Sequence, residues 1–445
     1  MEAALNRTVD LIGVGFGPAN IALAVALHEQ MGPGWLGESA IFLERRSEVA
    51  WHPGMLLEGS RLQVTFLKDF ALMRNPTSAF TFLNYLKVRG RLDEFVNLRT
   101  LFPSRHEFDD YMKWVASQFE SSVRFSSDVV DIAPHRACSS DTVARVAVKT
   151  SDGSTFLTRN LVLAVGARKR VPPVFADKLG DARILHSIDY LERIDVARLV
   201  GKHVVVVGSG QSAAEITYDL LSRAPGSKVT AVFRDVAFRP PDESQFSGEV
   251  YFPEYVDHFH KLPGQVRAGI MKSLKGTNYS VVDPDLLHKL YKHLYDLKVR
   301  GMESGFRIAN HTEIADVACG GDAIRLECVN RTTGCRDSLN ADVVVLATGF
   351  DHQAAPDLLA ALDKFLVRND EGGLAMSRDY RVKSQTGFEP AIFLQGAAEA
   401  THGPADTLLS LSAVRAGEIA NALAKCIDGK ERATYAARVP DALPS

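Results

Sequence analysis

The chain has 445 residues, of which 46% are hydrophobic and 24% charged, with a formal net charge of -3. This length exceeds what one hydrophobic core supports and predicts roughly two or three domains. The small net charge excludes an electrostatic reason to expect nucleic acid or an anionic membrane as a partner. The longest apolar runs are strand-sized, so no membrane helix is predicted, and an N-terminus without signal-peptide character predicts a cytoplasmic location.

The cysteines are scattered and odd in number: Cys138, Cys319, Cys328, Cys335 and Cys426. No C-x-x-C pair occurs among them. The pattern therefore predicts no disulfide framework, no redox-active dithiol and no metal site.

The first predicted element is a strand ending at Val14, followed by a glycine-rich turn and an apolar helix. Gly13, Gly15, Gly17 and Pro18 form this turn in "GVGFGPAN". A strand, a tight turn and a helix N-terminus together can receive a pyrophosphate. Proline suits the first helical turn, where a missing N–H loses no intrahelical bond.

The next predicted strand, in "AIFLERR", ends at Glu44. A carboxylate at this position accepts hydrogen bonds from a ribose diol and repels a 2′-phosphate. The first unit is therefore predicted to bind the adenosine of FAD.

A second unit of the same kind begins at "KHVVVVGSGQSAAEITYDLL". Its turn contains Gly208, Gly210 and Ala213, and the following strand ends at Arg234, whose guanidinium can hold a 2′-phosphate. Two such fingerprints, each between a strand and a helix, are far stronger than one. They predict FAD and NADPH as cofactors of a flavoprotein.

The predicted fold class is α/β, with two dinucleotide-binding, Rossmann-like domains and a smaller, mainly helical substrate lobe. Apolar strands in "RNLVLAVGARKRVP" and "ADVVVLATGF" mark where the chain is expected to leave the first unit and to return to it. The predicted boundaries are 1–168 for the first part of the FAD-binding domain, 199–340 for the NADPH-binding domain with its lobe at about 240–300, 341–430 for the returning FAD-binding domain with the substrate pocket, and 431–445 for a tail.

Several long motifs together resemble the microbial N-hydroxylating flavin monooxygenases of siderophore biosynthesis, which include L-ornithine N5-monooxygenases and lysine N6-hydroxylases. These motifs are "DLIGVGFGPANIALA", "AWHPGML", "LQVTFLKDFALMRNPTSAFTFLNYL", "GSGQSAAE", "TNYSVVD", "ATGF" and "HGPADTLLS". The resemblance implies that NADPH reduces FAD and that oxygen adds to give a C4a-hydroperoxyflavin. The neutral terminal amine of ornithine then attacks it, giving N5-hydroxyornithine.

The flavin supplies the reactive atom in this scheme, so no catalytic side chain is required. Gln63 and Asn278 are expected to position the reactants. The resemblance implies FAD contacts from Gly13, Gly15, Gly17, Pro18, Glu44, Trp51, His52, Gln63, Asp406 and Ser410. It implies NADPH contacts from Gly208, Ser209, Gly210, Gln211, Ser212, Arg234 and Ser244.

The resemblance implies that Lys68, Asn278 and Gly248 lie at the substrate. An ammonium in the apolar segment "VTFLKDFALM" is costly without an anion, and in the family such a lysine binds the α-carboxylate. An ion pair with Asp69 and a surface position for Lys68 are the structural alternatives. Gly248 stands in "DESQFSGE" where the ornithine enzymes carry a substrate-binding asparagine. Lysine, a diamine such as putrescine or cadaverine, or another basic amino acid therefore stays open as substrate.

The expected partners are the amine, oxygen and further copies of the chain in a dimer or tetramer. Two other functional classes stay open. A flavin disulfide reductase would share the scaffold, although the missing C-x-x-C speaks against it. A nucleotide-binding sensor would bind flavin without amine-stimulated NADPH oxidation.

Overall fold

The structure is a computed structural model that describes residues 8–136, 141–302, 305–352 and 355–428. The predicted tail at 431–445 and the thiol of Cys138 lie outside these residues. Within the described part of the chain, no helix is both long and apolar enough to cross a membrane.

Strands and helices are numbered in chain order. The strands are β1 Thr8–Val14, β2 Ala40–Leu43, β3 Val123–Arg124, β4 Val129–Arg136, β5 Val143–Thr150, β6 Thr155–Leu163, β7 Arg168–Lys169, β8 Ile184–His186, β9 His203–Val207, β10 Lys228–Val232, β11 Phe306–Ala309, β12 Thr312–Cys319, β13 Ile324–Asn330, β14 Arg336–Ala341, β15 Val343–Leu346, β16 Phe350–Asp351 and β17 Ala391–Leu394. The helices are α1 Pro18–Met31, α2 Trp35–Glu38, α3 Phe82–Val88, α4 Leu92–Leu98, α5 Arg105–Ser117, α6 Tyr190–Arg193, α7 Gln211–Arg223, α8 Gln245–Gly248, α9 Pro253–His260, α10 Gly264–Ser273, α11 Lys275–Asn278, α12 Pro284–Val299, α13 Ala355–Leu358, α14 Glu399–His402 and α15 Ser412–Asp428.

The first sheet has the order β3-β2-β1-β6-β5-β4, and β17 also pairs with β6. Strand β1 runs parallel to β2 and β6, whereas β4 and β5 form antiparallel pairs at the edge. A parallel sheet needs cover on both faces. Helix α1 covers part of this sheet and is buried continuously from Asn20 to Leu27. Helix α15 packs against α1.

The second sheet is parallel throughout, in the order β11-β10-β9-β15-β8. Val204, Val205 and Val206 of its central strand are completely buried, as expected for a strand covered on both faces. Helix α7 packs on this sheet, and α12 packs on α7. The small antiparallel sheet of β12, β13 and β14 packs on the other face of the second sheet and shares a hydrophobic core with it.

The expected return of the chain to the first unit at residue 341 is wrong for β15. Residues Val343–Leu346 pair with Val204–Val207 and so belong to the second sheet. Strand β8 also joins that sheet, ahead of the expected start at residue 199. The next strand of the first sheet is β17, beside β6, although Leu359 and Leu362 already lie in the core of the first unit. Both sheets need apolar parallel strands, so composition does not distinguish between them.

The segment expected to form a helical lobe contains α8 to α12. Helix α12 begins where its sequence indicates, because Asp283 accepts a hydrogen bond from the N–H of Leu286 at 3.1 Å and Pro284 occupies the first helical position. The lobe is tied to the C-terminal part of the chain through α9 and α10, which pack against α14.

Candidate functional site

The turn between β1 and α1 is closed on one side and open on the other. A Cβ on Gly15, whose φ is +83°, would lie 2.5 Å from the carbonyl oxygen of Ala164. A Cβ on Gly13 would lie 2.3 Å from the ring of Phe42. At Gly17, just before α1, a Cβ would meet nothing within 4 Å. The start of α1 therefore opens into free space, which suits a phosphate held by helix N–H groups.

Glu44 lies immediately after β2 and beside this turn. One carboxylate oxygen accepts the N–H of Phe16 at 2.7 Å, and the other accepts the N–H of Arg46 at 2.9 Å. The carboxylate is thereby fixed at the turn. Carboxylate oxygens keep further lone pairs after these bonds, so acceptance from a ribose hydroxyl is compatible with them.

A buried row of polar side chains holds the same turn from below. Asn20 donates to the carbonyl oxygen of Gly15 at 2.7 Å and accepts from Gln395 at 2.9 Å. Gln395 in turn accepts from Arg415 at 3.3 Å, and Arg415 pairs with Asp406 at 3.0 Å. The row joins the first glycine turn to the segment around Asp406, a residue expected to lie near the flavin.

The turn between β9 and α7 has the same construction. Gly208 has a φ of +138°, and a Cβ there would lie 2.2 Å from the carbonyl oxygen of Ala347. Gly210 immediately precedes the helix and takes an extended backbone conformation. Ser209 and Ser212 lie half-buried around the helix start. This second turn also fits a phosphate at a helix N-terminus.

Arg234 and Ser244, two further residues expected at the nicotinamide nucleotide, have different surroundings. Arg234 is exposed after β10, and no carboxylate of the described chain forms an ion pair with it. Its guanidinium is therefore available for a phosphate. Ser244 caps α8 by accepting the N–H of Ser247 at 3.3 Å and donates to the Ser247 hydroxyl at 2.8 Å. Its hydroxyl is thus engaged within the protein.

Gln63 lies where the two units meet. Its side-chain amide donates to Gln211, the first residue of α7, at 3.1 Å. Close by, Arg105 forms a bidentate ion pair with Glu215, one turn along α7, at 2.8 and 2.7 Å. The helix that begins at the second glycine turn is therefore bound directly to the first unit.

Trp51 and His52 directly precede the short turn Pro53–Met55, and Trp51 packs against α5. The N–H of Trp51 donates to Asp109 at 2.9 Å, and its ring packs against Phe108 with centroids 5.2 Å apart. His52 has a left-handed backbone with a φ of 48°. The residue is exposed, but its ring lies beside those of Trp51 and Phe350, with centroids 5.2 and 6.1 Å away, which removes water from two sides of it. That desolvation, with a smaller effect of nearby arginines, lowers the pKa of His52 to about 4, so the ring is neutral at pH 7.

Lys68 is half-buried and forms no ion pair within the described chain. The ion pair with Asp69 is not formed. The Asp69 carboxylate instead accepts the N–H groups of Ala71, Leu72 and Phe82 at 2.7 to 2.8 Å. Burial lowers the pKa of Lys68. An ammonium in this setting lacks a counter-ion that an anionic ligand would supply.

Asn278 and Gly248 end two short helices of the lobe, α11 and α8. Asn278 is half-buried, and the hydroxyl of the next residue, Tyr279, donates to Glu399. A Cβ on Gly248 would meet nothing within 4 Å. No hydrogen bond within the described chain joins either residue to Lys68, so a shared substrate site for these three residues stays a prediction.

Asp406 is 2% exposed and accepts the N–H of Ala398 at 2.6 Å in addition to its pairing with Arg415. Ser410 lies half-buried in the 3-10 turn Leu409–Leu411 that leads into α15. Asp406 therefore shapes the loop before that turn, and its buried carboxylate is already engaged by protein groups.

Several residues that organise the site were not predicted from the sequence: Asn20, Arg105, Glu215, Tyr279, Gln395, Glu399 and Arg415. Most of their partners are far away in the chain, for example 110 residues for Arg105 and Glu215. No local spacing signals such pairs.

Comparison with known proteins agrees with this geometry. Residues 7–352 match the sequence model of the L-lysine 6-monooxygenase/L-ornithine 5-monooxygenase family. The L-ornithine N(5)-monooxygenase of Pseudomonas aeruginosa is 38% identical over 421 residues, covering 93% of each chain.

Two solved structures are also similar. The ornithine N-hydroxylase of Kutzneria sp. 744, in a structure whose name includes reduced FAD, NADP+ and L-ornithine, has a TM-score of 0.88 at 35% identity, over 94% of this chain and 99% of that one. The L-lysine 6-monooxygenase of Pseudomonas syringae has a TM-score of 0.83 at 34% identity, over 94% of this chain and 100% of that one. This chain thus belongs to the L-lysine 6-monooxygenase/L-ornithine 5-monooxygenase family.

Proposed function

We propose that this protein is an FAD- and NADPH-dependent monooxygenase that converts the terminal amine of L-ornithine to N5-hydroxyornithine. One observation carries the proposal: a helix that begins at one glycine turn is bonded, through Gln211 and Gln63, to the unit that contains the other. Two dinucleotides held in this way meet at one junction, as hydride transfer between them requires. The ornithine enzymes among its relatives support the reaction class.

The residues present fit both cofactors. For FAD, the open space at Gly17 would take the pyrophosphate, Glu44 the ribose, and Trp51, His52, Gln63, Asp406 and Ser410 would surround the rest. For NADPH, the turn Gly208–Gly210 with Ser212 would take the pyrophosphate and Arg234 the 2′-phosphate, with Gln211 and Ser244 beside them. When bound, FAD supplies the ring that accepts hydride from NADPH and activates oxygen for transfer to the amine.

The protein's own contribution to the chemistry is to bind, orient and exclude water. Lys68 would hold the α-carboxylate of the substrate, which supplies the anion its half-buried ammonium lacks. Asn278 would hold the same end of the substrate through its amide. Fixing that end leaves the terminal amine directed at the reacting ring, and orientation of this kind can lower a barrier by several kcal/mol.

Lysine is the second candidate substrate, since Gly248 leaves space open in the segment expected at the substrate. With no side chain at that position, the extra methylene of lysine is expected to change binding by about 1–3 kcal/mol, the usual effect of one methylene. A diamine is less well suited, because its second ammonium would face that of Lys68.

A disulfide reductase has no support in the described chain. Cys319, Cys328, Cys335 and Cys426 are free thiols, and burial raises the pKa of Cys328 to about 11. A thiol with so high a pKa is a poor nucleophile at neutral pH. Free thiols and the need for NADPH both support a reducing, cytoplasmic setting. We also propose a homo-oligomer, in line with the resemblance.

The test is a substrate panel. Purified protein with FAD and NADPH is given L-ornithine, L-lysine, L-arginine, putrescine or cadaverine, and hydroxylated product is measured by mass spectrometry. We expect the largest yield with ornithine. Flavin binding without hydroxylated product from any amine would overturn the proposal and favour a nucleotide sensor.

A further inference from the structure

Four side chains form a hydrogen-bonded row across the junction between the two units. Arg105 donates to both carboxylate oxygens of Glu215 at 2.8 and 2.7 Å. Glu215 Oε1 also accepts from Gln211 Nε2 at 2.8 Å. Gln211 Oε1 accepts from Gln63 Nε2 at 3.1 Å. The row runs from a buried ion pair to Gln63, one of the residues expected to contact the flavin.

The orientation of the Gln211 amide is fixed by the Glu215 carboxylate, which can only accept, and by the Asp283 N–H, which can only donate. A carboxylate paired with a guanidinium only accepts, so Glu215 requires the NH₂ end of the amide. The peptide N–H of Asp283 only donates, and it donates to Gln211 Oε1 at 2.8 Å. Turning the amide would oppose oxygen to oxygen at Glu215 and N–H to N–H at Asp283.

The orientation of Gln63 follows from that of Gln211. Because Gln211 presents an oxygen, Gln63 must present an N–H to it. Gln63 has no other hydrogen bond within the described chain, and its side chain is exposed. Its carbonyl oxygen is therefore left free as an acceptor. An acceptor suits an N–H donor, which a reduced flavin and a nicotinamide carboxamide both carry.

We propose that Glu215 is a positioning residue that acts through Gln211 to hold Gln63 with its N–H toward α7 and its carbonyl oxygen free for the cofactors. This inference rests on the proposed function. It also changes the expected role of Gln211, whose side chain links two parts of the protein instead of contacting the nicotinamide nucleotide directly.

The first test needs no cofactor. In the Glu215→Met variant the Gln211 amide loses its fixed acceptor, and its bond to the Asp283 N–H loosens. We expect amide hydrogen exchange at Asp283 to become about five-fold faster, the factor for a hydrogen bond of about 1 kcal/mol. If the stranded guanidinium prevents folding, Arg105→Met with Glu215→Met removes the pair together.

The matched control lies one turn farther along α7. Asp219 pairs with Arg223 at 3.2 Å and accepts the Tyr190 hydroxyl at 2.9 Å. Arg223→Met with Asp219→Asn removes an ion pair from the same helix and leaves the Gln63 row intact. Exchange at Asp283 that rises equally in this control would show general loosening of α7 and would contradict the proposal.

The second test uses the protein with FAD bound. We expect Glu215→Met to lower the midpoint potential of the flavin, because Gln63 then accepts less often from the reduced flavin N–H. Hydroxylated product per NADPH should fall by at most about two-fold, the limit for two equally populated amide orientations. Both effects should vanish when the change is made in a Gln63→Met background. Additive effects would contradict the proposal. If the unchanged protein forms no hydroxylated amine, the proposed function fails, while Asp283 exchange and the flavin potential still decide the role of Glu215.

Discussion

Single side chains in this protein owe their proposed roles to what surrounds them more than to their type. Lys68 is one of many lysines, but it is half-buried and without an ion pair in the described chain, and burial lowers its pKa. Asp69 next to it is occupied by three backbone N–H groups and cannot serve as its counter-ion. The free charge is what makes a carboxylate-bearing substrate the best fit.

We expect Lys68→Met to raise the KM for L-ornithine about 10- to 100-fold, the range for losing a hydrogen bond to a charged group. The turnover number should change much less, because the reacting amine is at the other end of the substrate. Steady-state kinetics measure both, with the exposed Lys87→Met as control. An unchanged KM in Lys68→Met would remove the carboxylate role.

Asn20 should matter for flavin binding although nothing in its own position suggests contact with the ring. Its bond to the Gly15 carbonyl fixes the first glycine turn. We expect Asn20→Ala to weaken FAD binding about five-fold, as the loss of one hydrogen bond predicts. Fluorescence titration of the apoprotein measures this. Asn160→Ala removes another buried amide of the same unit, bonded to Asp10 at 2.8 Å, and should leave FAD affinity unchanged.

Two strand–turn–helix elements share one construction, and we propose that each binds a different nucleotide. In each, a glycine with positive φ lets the turn pass close to a carbonyl oxygen of the neighbouring strand end, Ala164 for the first unit and Ala347 for the second. A side chain there would push the turn away from the sheet. The helix N-terminus would then no longer face the pyrophosphate position.

Gly15→Ala and Gly208→Ala should therefore separate the two cofactors. We expect the first to reduce FAD affinity and the second to reduce NADP+ affinity, each by about 5- to 150-fold, the equivalent of backbone strain of about 1–3 kcal/mol. Gly226→Ala controls for the positive φ alone, since its φ is +87° and its Cβ position is open. Equal losses of both cofactors in either variant would mean that the units do not act separately.

The two turns and their helices could be predicted from the sequence because the signals are local: an apolar strand, glycines at fixed spacing and a periodic helix. The family was confirmed for the same reason, since its motifs are continuous. The membership of β15 in the second sheet could not be predicted, because a short apolar run fits either parallel sheet. The row from Glu215 to Gln63 was equally hidden, since its members are brought together only by the docking of two units.

At the scale of the whole molecule, buried histidines link stability to pH. His402 is 1% exposed, lies 3.1 Å from the carbonyl oxygen of Arg378 and stacks on Tyr380 with centroids 4.1 Å apart. Burial, with smaller effects of His260 and nearby arginines, lowers its pKa from 6.5 to about 3. The unfolded chain therefore binds a proton at this residue in a pH range where the folded chain does not.

We expect the free energy of unfolding to fall as the pH is lowered from about 6.5 toward 4, because a lowered folded-state pKa favours the unfolded state in acid. The His402→Gln variant should lose part of this slope, whereas the exposed His106→Gln should keep it. Urea unfolding at several pH values measures the effect. Identical slopes in all three proteins would show that His402 titrates normally in the folded state.

Isotope labelling tests the proposed monooxygenase reaction by identifying the source of the oxygen atom in the product. Protein with FAD, NADPH and L-ornithine is incubated under ¹⁸O₂ in ordinary water, and in parallel under ordinary oxygen in H₂¹⁸O. We expect labelled N5-hydroxyornithine from ¹⁸O₂ alone, because one atom of oxygen passes to the amine and the other leaves as water. Product labelled from water, or NADPH consumed with no hydroxylated amine, would contradict it.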